Sequence, residues 1–156
     1  MNELKIFRQI QIPKFVMDPI MANESFLQIV DFLQCCRKDF DAWFSELIHK
    51  KILTDDHNWV NYTVYKQNVV NNFPWHNELG VGGSKQIMSG SGAGIIWISG
   101  DVDAGGELDI LHDDQIQQFQ FEPDTVFVFP IDTFHRVEAY HGNRPRISLN
   151  FTFEEV

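Results

Sequence analysis

Two periodicities divide the chain. From Phe26 onward apolar residues fall at Phe26, Ile29, Val30, Leu33, Cys36, Phe40, Trp43, Phe44, Leu47 and Ile48, close to a 3.6-residue repeat. That spacing predicts a long helix with one apolar stripe. Asn23 is placed to cap its start, and Lys50 and Lys51 suit its C-terminal end. Asp31, Lys38, Asp39 and Glu46 form its wet face. Ahead of it, Leu4–Ile12 alternates like a short strand stopped by Pro13.

Beyond the turn-like Asp55–Asn58 the period shortens to two. Strands are predicted over Trp59–Lys66, Phe73–Leu79, Ile95–Ser99, Gly106–Leu111, Gln115–Phe121, Thr125–Phe129, Phe134–Tyr140 and Arg146–Phe153. No helical pattern separates them. Gly80–Gly94, rich in glycine and serine, reads as a mobile loop, a candidate lid, and holds no Gly-Lys-Ser/Thr phosphate-binding triplet. Many short strands preceded by one amphipathic helix predict a mostly antiparallel double sheet backed by helix. The pattern shows no repeat and no long linker, so 1–156 reads as one domain, with helical support over about 14–53 and a β core over about 59–154.

Composition adds three constraints. Aromatic content is 13%, with 14 Phe, many of them on the later strands, which suits sheet-on-sheet packing. The formal net charge of -10 argues against a nucleic-acid backbone as partner, since phosphate binding needs concentrated Lys and Arg. The sequence shows neither a signal-peptide pattern nor an apolar run long enough for a membrane span, so a cytoplasmic location is expected. Cys35 and Cys36 are adjacent on a helical pattern and point apart, so no disulfide between them is expected. Nothing in the sequence speaks to oligomeric state.

Candidate chemistry centres on two of the six histidines. His76 and Glu78 are two apart on a predicted strand and therefore share a face. His135 opens a later strand that a folded sheet can bring back. Two neutral imidazoles and one carboxylate on one side of a metal leave coordination positions open, the set suited to Fe(II) that must also bind a chelating cosubstrate and O2. Arg146 and Ser148 alternate on the last strand, offering a charged fork and a hydroxyl to a carboxylate. A rival metal spelling is His112-Asp113-Asp114. His49, His57 and His141 have no partner pattern.

His76-Asn77-Glu78, Gly105-Gly106-Glu107-Leu108, Phe134-His135-Arg136-Val137 and Arg146-Ile147-Ser148 follow one another as in the 2-oxoglutarate/Fe(II) oxygenases. Over Trp59–Glu154 the sequence resembles that family, most closely its small prolyl-4-hydroxylase-like members. The resemblance implies a mainly β fold: a double-stranded β-helix (jelly roll) with N-terminal helical support. It implies iron on His76, Glu78 and His135, the residues that would carry catalysis, and 2-oxoglutarate on Arg146 and Ser148, with Tyr62 or Tyr65 also reaching it. Glu107 and Leu108 belong to the turn motif and read as structural. The implied activity is a dioxygenase, a hydroxylase of a peptide side chain or small metabolite, which consumes O2 and 2-oxoglutarate.

Glu78 departs from the family's commoner Asp; one more methylene still permits ligation. A halogenase is disfavoured because those members lack the carboxylate. A DNA-repair demethylase is disfavoured because a second Arg is expected six residues after Arg146, where Thr152 stands. The contrasting class is a catalytically silent jelly-roll module that binds metal or ligand.

Overall fold

The computed structural model describes residues 3–22, 35–54, 60–65, 73–78 and 91–156, with the backbone alone at 60–65 and 73–74. Among these residues ten strands form two antiparallel sheets. The larger contains β1 (Lys5–Phe7), β2 (Ile52–Thr54), β3 (Val60–Tyr65), β5 (Gly92–Ser99), β8 (Thr125–Pro130) and β10 (Arg146–Glu155). Its order is β1-β8-β5-β10, and both β2 and β3 pair along the free side of β10. The smaller runs β4 (Phe73–His76), β9 (His135–Val137), β6 (Leu108–His112) and β7 (Gln115–Phe119). Side chains from both sheets share one interior, and the fold is a double-stranded β-helix with helical support on the outside of the larger sheet.

Alternation explains why the larger sheet has two different faces. On β8, Val126 and Val128 point to the helices while Phe127 and Phe129 point to the opposite sheet; on β5, Ile96 and Ile98 oppose Ala93, Ile95 and Trp97 in the same way. A strand buried on both faces reads as a continuous apolar run, which is what 125–129 is.

Among the described residues the helices are α1 (Lys14–Met21) and α2 (Arg37–Ile48). The expected capping residue Asn23 and the stretch to Leu33 lie outside the described residues. Within α2, Phe40, Phe44 and Ile48 are buried against Phe151 and Phe153 of β10, with ring centroids 4.7–5.1 Å apart for the three closest pairs. Lys38, Asp39 and Glu46 are exposed, as the wet face requires. His49 ends the helix in the left-handed conformation, φ 57°. Cys35 and Cys36 are free thiols.

Four expectations need correction. The strand expected over 4–12 stops at Phe7, because Gln9 takes φ 54° and turns the chain. Pro13 does not merely stop a strand: it stands at the N-cap of α1, where a fixed φ and a missing N–H cost nothing. Ile52–Thr54 is a strand that the helix pattern concealed. The end of the expected 80–94 loop is strand: Gly92 and Gly94 belong to β5, and 80–90 lies outside the described residues. Their lack of side chains answers a packing need, since a Cβ on Gly92 would lie 2.3 Å from Phe153 Cζ and one on Gly94 would lie 2.2 Å from Phe151 Cζ. The two rings lie across the glycines, and any other residue would displace them.

Candidate metal centre and cosubstrate wall

His76 ends β4 and pairs directly with His135 at the start of β9, so the two imidazoles share the interior face of the smaller sheet. Their ring centroids are 4.2 Å apart. Glu78 lies past the strand in a turn. The same-strand argument for pairing it with His76 therefore does not hold. The turn brings the carboxylate back instead, and Asn77 Nδ2 donates to the Asp132 carbonyl at 3.4 Å, tying this turn to the segment before β9. Glu78 Oε1 is 3.2 Å from His135 Nε2 and 3.9 Å from His76 Nε2. One ligand atom from each residue falls within 4.8 Å of the others, and all three residues are buried.

Two further details bear on metal fit. His135 Nδ1 is 3.0 Å from the Thr133 carbonyl. An N–H at Nδ1 can donate to that oxygen, and Nε2 is then the ring nitrogen that faces Glu78 and would ligate an ion. Burial pushes the Glu78 carboxyl up, but its hydrogen bond with His135 and the charges of His135 and His76 outweigh that and hold it below the usual range. The group is thus an ionised carboxylate facing two imidazole nitrogens. A buried anion of this kind calls for a cation among its partners, and the donor set, two nitrogens and one oxygen, fits a divalent transition metal.

Arg146 and Ser148 stand on β10, on the interior face of the larger sheet, and both are buried. The Arg146 guanidinium carbon lies 4.9 Å from the Phe121 ring centre and 5.7 Å from that of Trp97. Its Nε donates to the Gly106 carbonyl at 3.0 Å. Gly105 and Gly106 adopt φ 80° and 73°, a region open to glycine, and a Cβ on Gly106 would lie 2.8 Å from Arg146 Cδ. The glycine pair therefore makes room for the arginine and gives it an acceptor. The turn leading to Arg146 is pinned as well: the Tyr140 hydroxyl donates to the Arg144 carbonyl and accepts from the Asp101 N–H, while Asp101 accepts from the N–H groups of Asn143 and Arg144.

The side chains of Tyr62 and Tyr65 lie outside the described residues, but the backbone register separates them. Tyr65 is paired with Arg146, and Tyr62 with Leu149, whose neighbours are the helix-side apolar cluster. Paired residues share a face, so only Tyr65 is in the row of Arg146.

The rival His112-Asp113-Asp114 is the β6–β7 hairpin turn. Asp113 and Asp114 take φ 50° and 61° between the paired residues His112 and Gln115, the two-residue loop that favours Asp and Asn. The Asp113 side chain is 89% exposed, and this spelling is explained by turn geometry alone. Three polar residues on the interior wall escaped sequence reasoning as candidates. Asn150 and Thr152 continue the alternation of Arg146 and Ser148 and were legible from it. Trp97 was not, because a tryptophan on an apolar strand reads as core.

By sequence, no protein-family model and no curated protein match this chain. By structure, it is similar to an oxidoreductase of the 2OG-Fe(II) oxygenase family from Burkholderia pseudomallei, with TM-score 0.57 and 15% identity over 81% of this chain and 54% of that one. The chain thus spans about half the length of the Burkholderia protein. A Pseudomonas putida prolyl-4-hydroxylase matches with TM-score 0.60 and 9% identity over 98% of this chain and 89% of that one. EctD from S. alaskensis, solved with 2-oxoglutarate and 5-hydroxyectoine, matches with TM-score 0.62 and 10% identity over 97% and 72%. The likeness is one of fold: this chain has the jelly roll of the 2-oxoglutarate/Fe(II) oxygenases. Among the described residues no helix is long and apolar enough to cross a membrane.

Proposed function

We propose that the protein is an Fe(II)- and 2-oxoglutarate-dependent dioxygenase, with iron held by His76, Glu78 and His135. The observation that carries this reading is the buried grouping of those three side chains within 4.8 Å inside a jelly roll of this type. Iron, with 2-oxoglutarate and O2, would supply substrate oxidation coupled to decarboxylation of the cosubstrate to succinate and CO2.

The chain's own residues supply position and charge balance. The Thr133 carbonyl engages His135 Nδ1, which orients the ring and leaves Nε2 to face the ion. Arg146, buried and oriented by Gly106, offsets the charge of a dicarboxylate, and Ser148 adds a hydroxyl on the same wall. A divalent ion, one carboxylate, one guanidinium and the cosubstrate dianion sum to zero charge, which removes the main cost of burying them together. Between the two tyrosines, the register favours Tyr65 as a cosubstrate contact. The helices seal the other face of the sheet that carries Arg146, and the chain works as one domain. The oxidised substrate would be a peptide side chain or a small metabolite, and the reaction a hydroxylation.

The test is Fe(II)- and O2-dependent conversion of 2-oxoglutarate to succinate, read per iron bound in a series at Glu78. Glu78→Asp is expected to keep partial turnover, Glu78→Gln less, and Glu78→Ala little or none, since an amide ligates more weakly and leaves the ion's charge less balanced. Equal turnover in all three removes Glu78 from the site. No turnover by the parent in the presence of iron, O2 and a broad panel of peptides and metabolites favours the silent binding module.

A further inference from the structure

Trp97 is wholly buried, with its ring between Phe121 and Phe127 at centroid distances of 5.0 and 4.6 Å. Its indole N–H has no hydrogen-bond partner among the described residues. Buried donors are almost always satisfied, and leaving one without a partner carries a desolvation cost. Packing does not demand that cost, because Phe119, Phe121, Phe127 and Phe129 already show that phenylalanine serves this interior.

The position of the indole narrows what it meets. In the sheet, Trp97 is paired with Ser148 on β10, so the two share the interior face. Arg146 stands on the same face, its guanidinium carbon 5.7 Å from the Trp97 ring centre. Indole and guanidinium are both donor-only groups. A wall built from two such donors and a hydroxyl is complementary to an acceptor with several lone pairs, and a carboxylate is the anionic one that a forked arginine fits.

We propose that the Trp97 indole N–H is a specificity-determining donor to the distal carboxylate of 2-oxoglutarate, beside Arg146. The proposal rests on the dioxygenase reading above and adds a consequence to it. The site should discriminate between 2-oxo acids with and without a second carboxylate, and Trp97 should account for part of the difference.

The experiment uses the full chain loaded with Zn(II), a diamagnetic stand-in for iron, and follows the indole signals by 1H–15N NMR. The Trp97 signal is assigned by its loss in Trp97→Phe. It is expected to move downfield on addition of 2-oxoglutarate and to stay in place with 2-oxobutyrate, which lacks the distal carboxylate. Trp97→Phe is expected to weaken 2-oxoglutarate binding by roughly ten-fold to a hundred-fold, the value of a hydrogen bond to a charged group, and to leave 2-oxobutyrate binding unchanged. A Trp97 signal that does not respond to bound 2-oxoglutarate, or that responds equally to 2-oxobutyrate, overturns the proposal. So does an equal loss of both ligands in the variant, which would mark a purely structural ring. If Trp97→Phe does not fold, the signal is assigned by elimination with Trp43→Phe, Trp59→Phe and Trp75→Phe, and its response in the parent decides. Failure of the Zn(II)-loaded parent to bind 2-oxoglutarate at all is a different result, and it sinks the dioxygenase reading itself.

Discussion

On strand β10, Ile147, Leu149, Phe151 and Phe153 face the helices, whereas Arg146, Ser148, Asn150 and Thr152 alternate onto the side of the opposing sheet. The helix side is a continuous apolar cluster in which every ring has aromatic or aliphatic neighbours. The interior side mixes phenylalanines with buried polar groups, and the Trp97 indole N–H and the Thr152 hydroxyl lack partners among the described residues. One strand thus carries two kinds of burial. The first contributes stability; the second costs some of it, which is the pattern expected where a fold has to receive a polar ligand.

Substitutions on adjacent residues can break this contrast. Phe151 packs on Phe40, Phe44 and the bare backbone of Gly94, so Phe151→Ala is expected to destabilise the fold by about 3–5 kcal/mol. Thr152→Val on the other face keeps the shape and removes a buried hydroxyl with no partner among the described residues. It should be neutral or slightly stabilising. Denaturant midpoints of the two variants check this, and a large loss from Thr152→Val would mean that its hydroxyl is satisfied in the folded chain.

The second comparison is between two arginines. Arg146 is buried on the interior wall, while Arg144 sits in the preceding turn and reaches Ser99 Oγ at 3.2 Å in an exposed bond. Arg146→Ala should weaken 2-oxoglutarate binding by roughly 30-fold or more, from the ~2–5 kcal/mol typical of truncating one partner of a desolvated charge pair. Arg144→Ala should change it little. Calorimetry on the metal-loaded protein decides, and equal losses would remove Arg146 from the cosubstrate site.

A smaller effect is expected behind the histidines, on the outer face of the smaller sheet. There Asp109 accepts from Arg136 Nε at 2.7 Å and from Gln118 Nε2 at 3.0 Å, and the Arg136 guanidinium lies 4.6 Å over the Trp75 ring. Burial pushes the Asp109 carboxyl up, but hydrogen bonds with Glu138, Arg136 and Gln118 and the Arg136 charge hold it below the usual range. A depressed carboxyl contributes stability above its unfolded pKa of about 3.9, and that contribution is lost as pH falls through the folded value. Asp109→Asn should therefore flatten the acid side of the stability profile. An unchanged acid limb in urea titrations would show that Asp109 is not what the fold loses there.

How much of this was legible in the sequence depends on whether the cause is local. The strands of 95–99, 125–129 and 146–153 announced themselves because alternation and β-branched or aromatic residues act within each strand. That His76, Glu78 and His135 meet in one corner was also readable, though through a turn at Glu78 rather than a strand. Gly92 and Gly94 were not: glycine reads locally as loop, and the reason for both lies in rings of a strand far along the chain, Phe153 and Phe151. The strand at 52–54 was hidden for a similar reason, since it is short and owes its form to the sheet it extends, whereas the helix at 14–21 falls within the helical support expected from about residue 14. That the Trp97 indole N–H finds no partner among the described residues belongs to the assembled interior and has no sequence signal.

The central claim is that the interior corner formed by His76, Glu78 and His135 holds one metal ion. Anaerobic equilibrium dialysis against Fe(II), with iron counted per chain, tests it most directly. The parent and His112→Ala should each hold one iron, and His135→Ala should lose most of the affinity. Iron held by His135→Ala as tightly as by the parent would contradict the account and place the metal elsewhere.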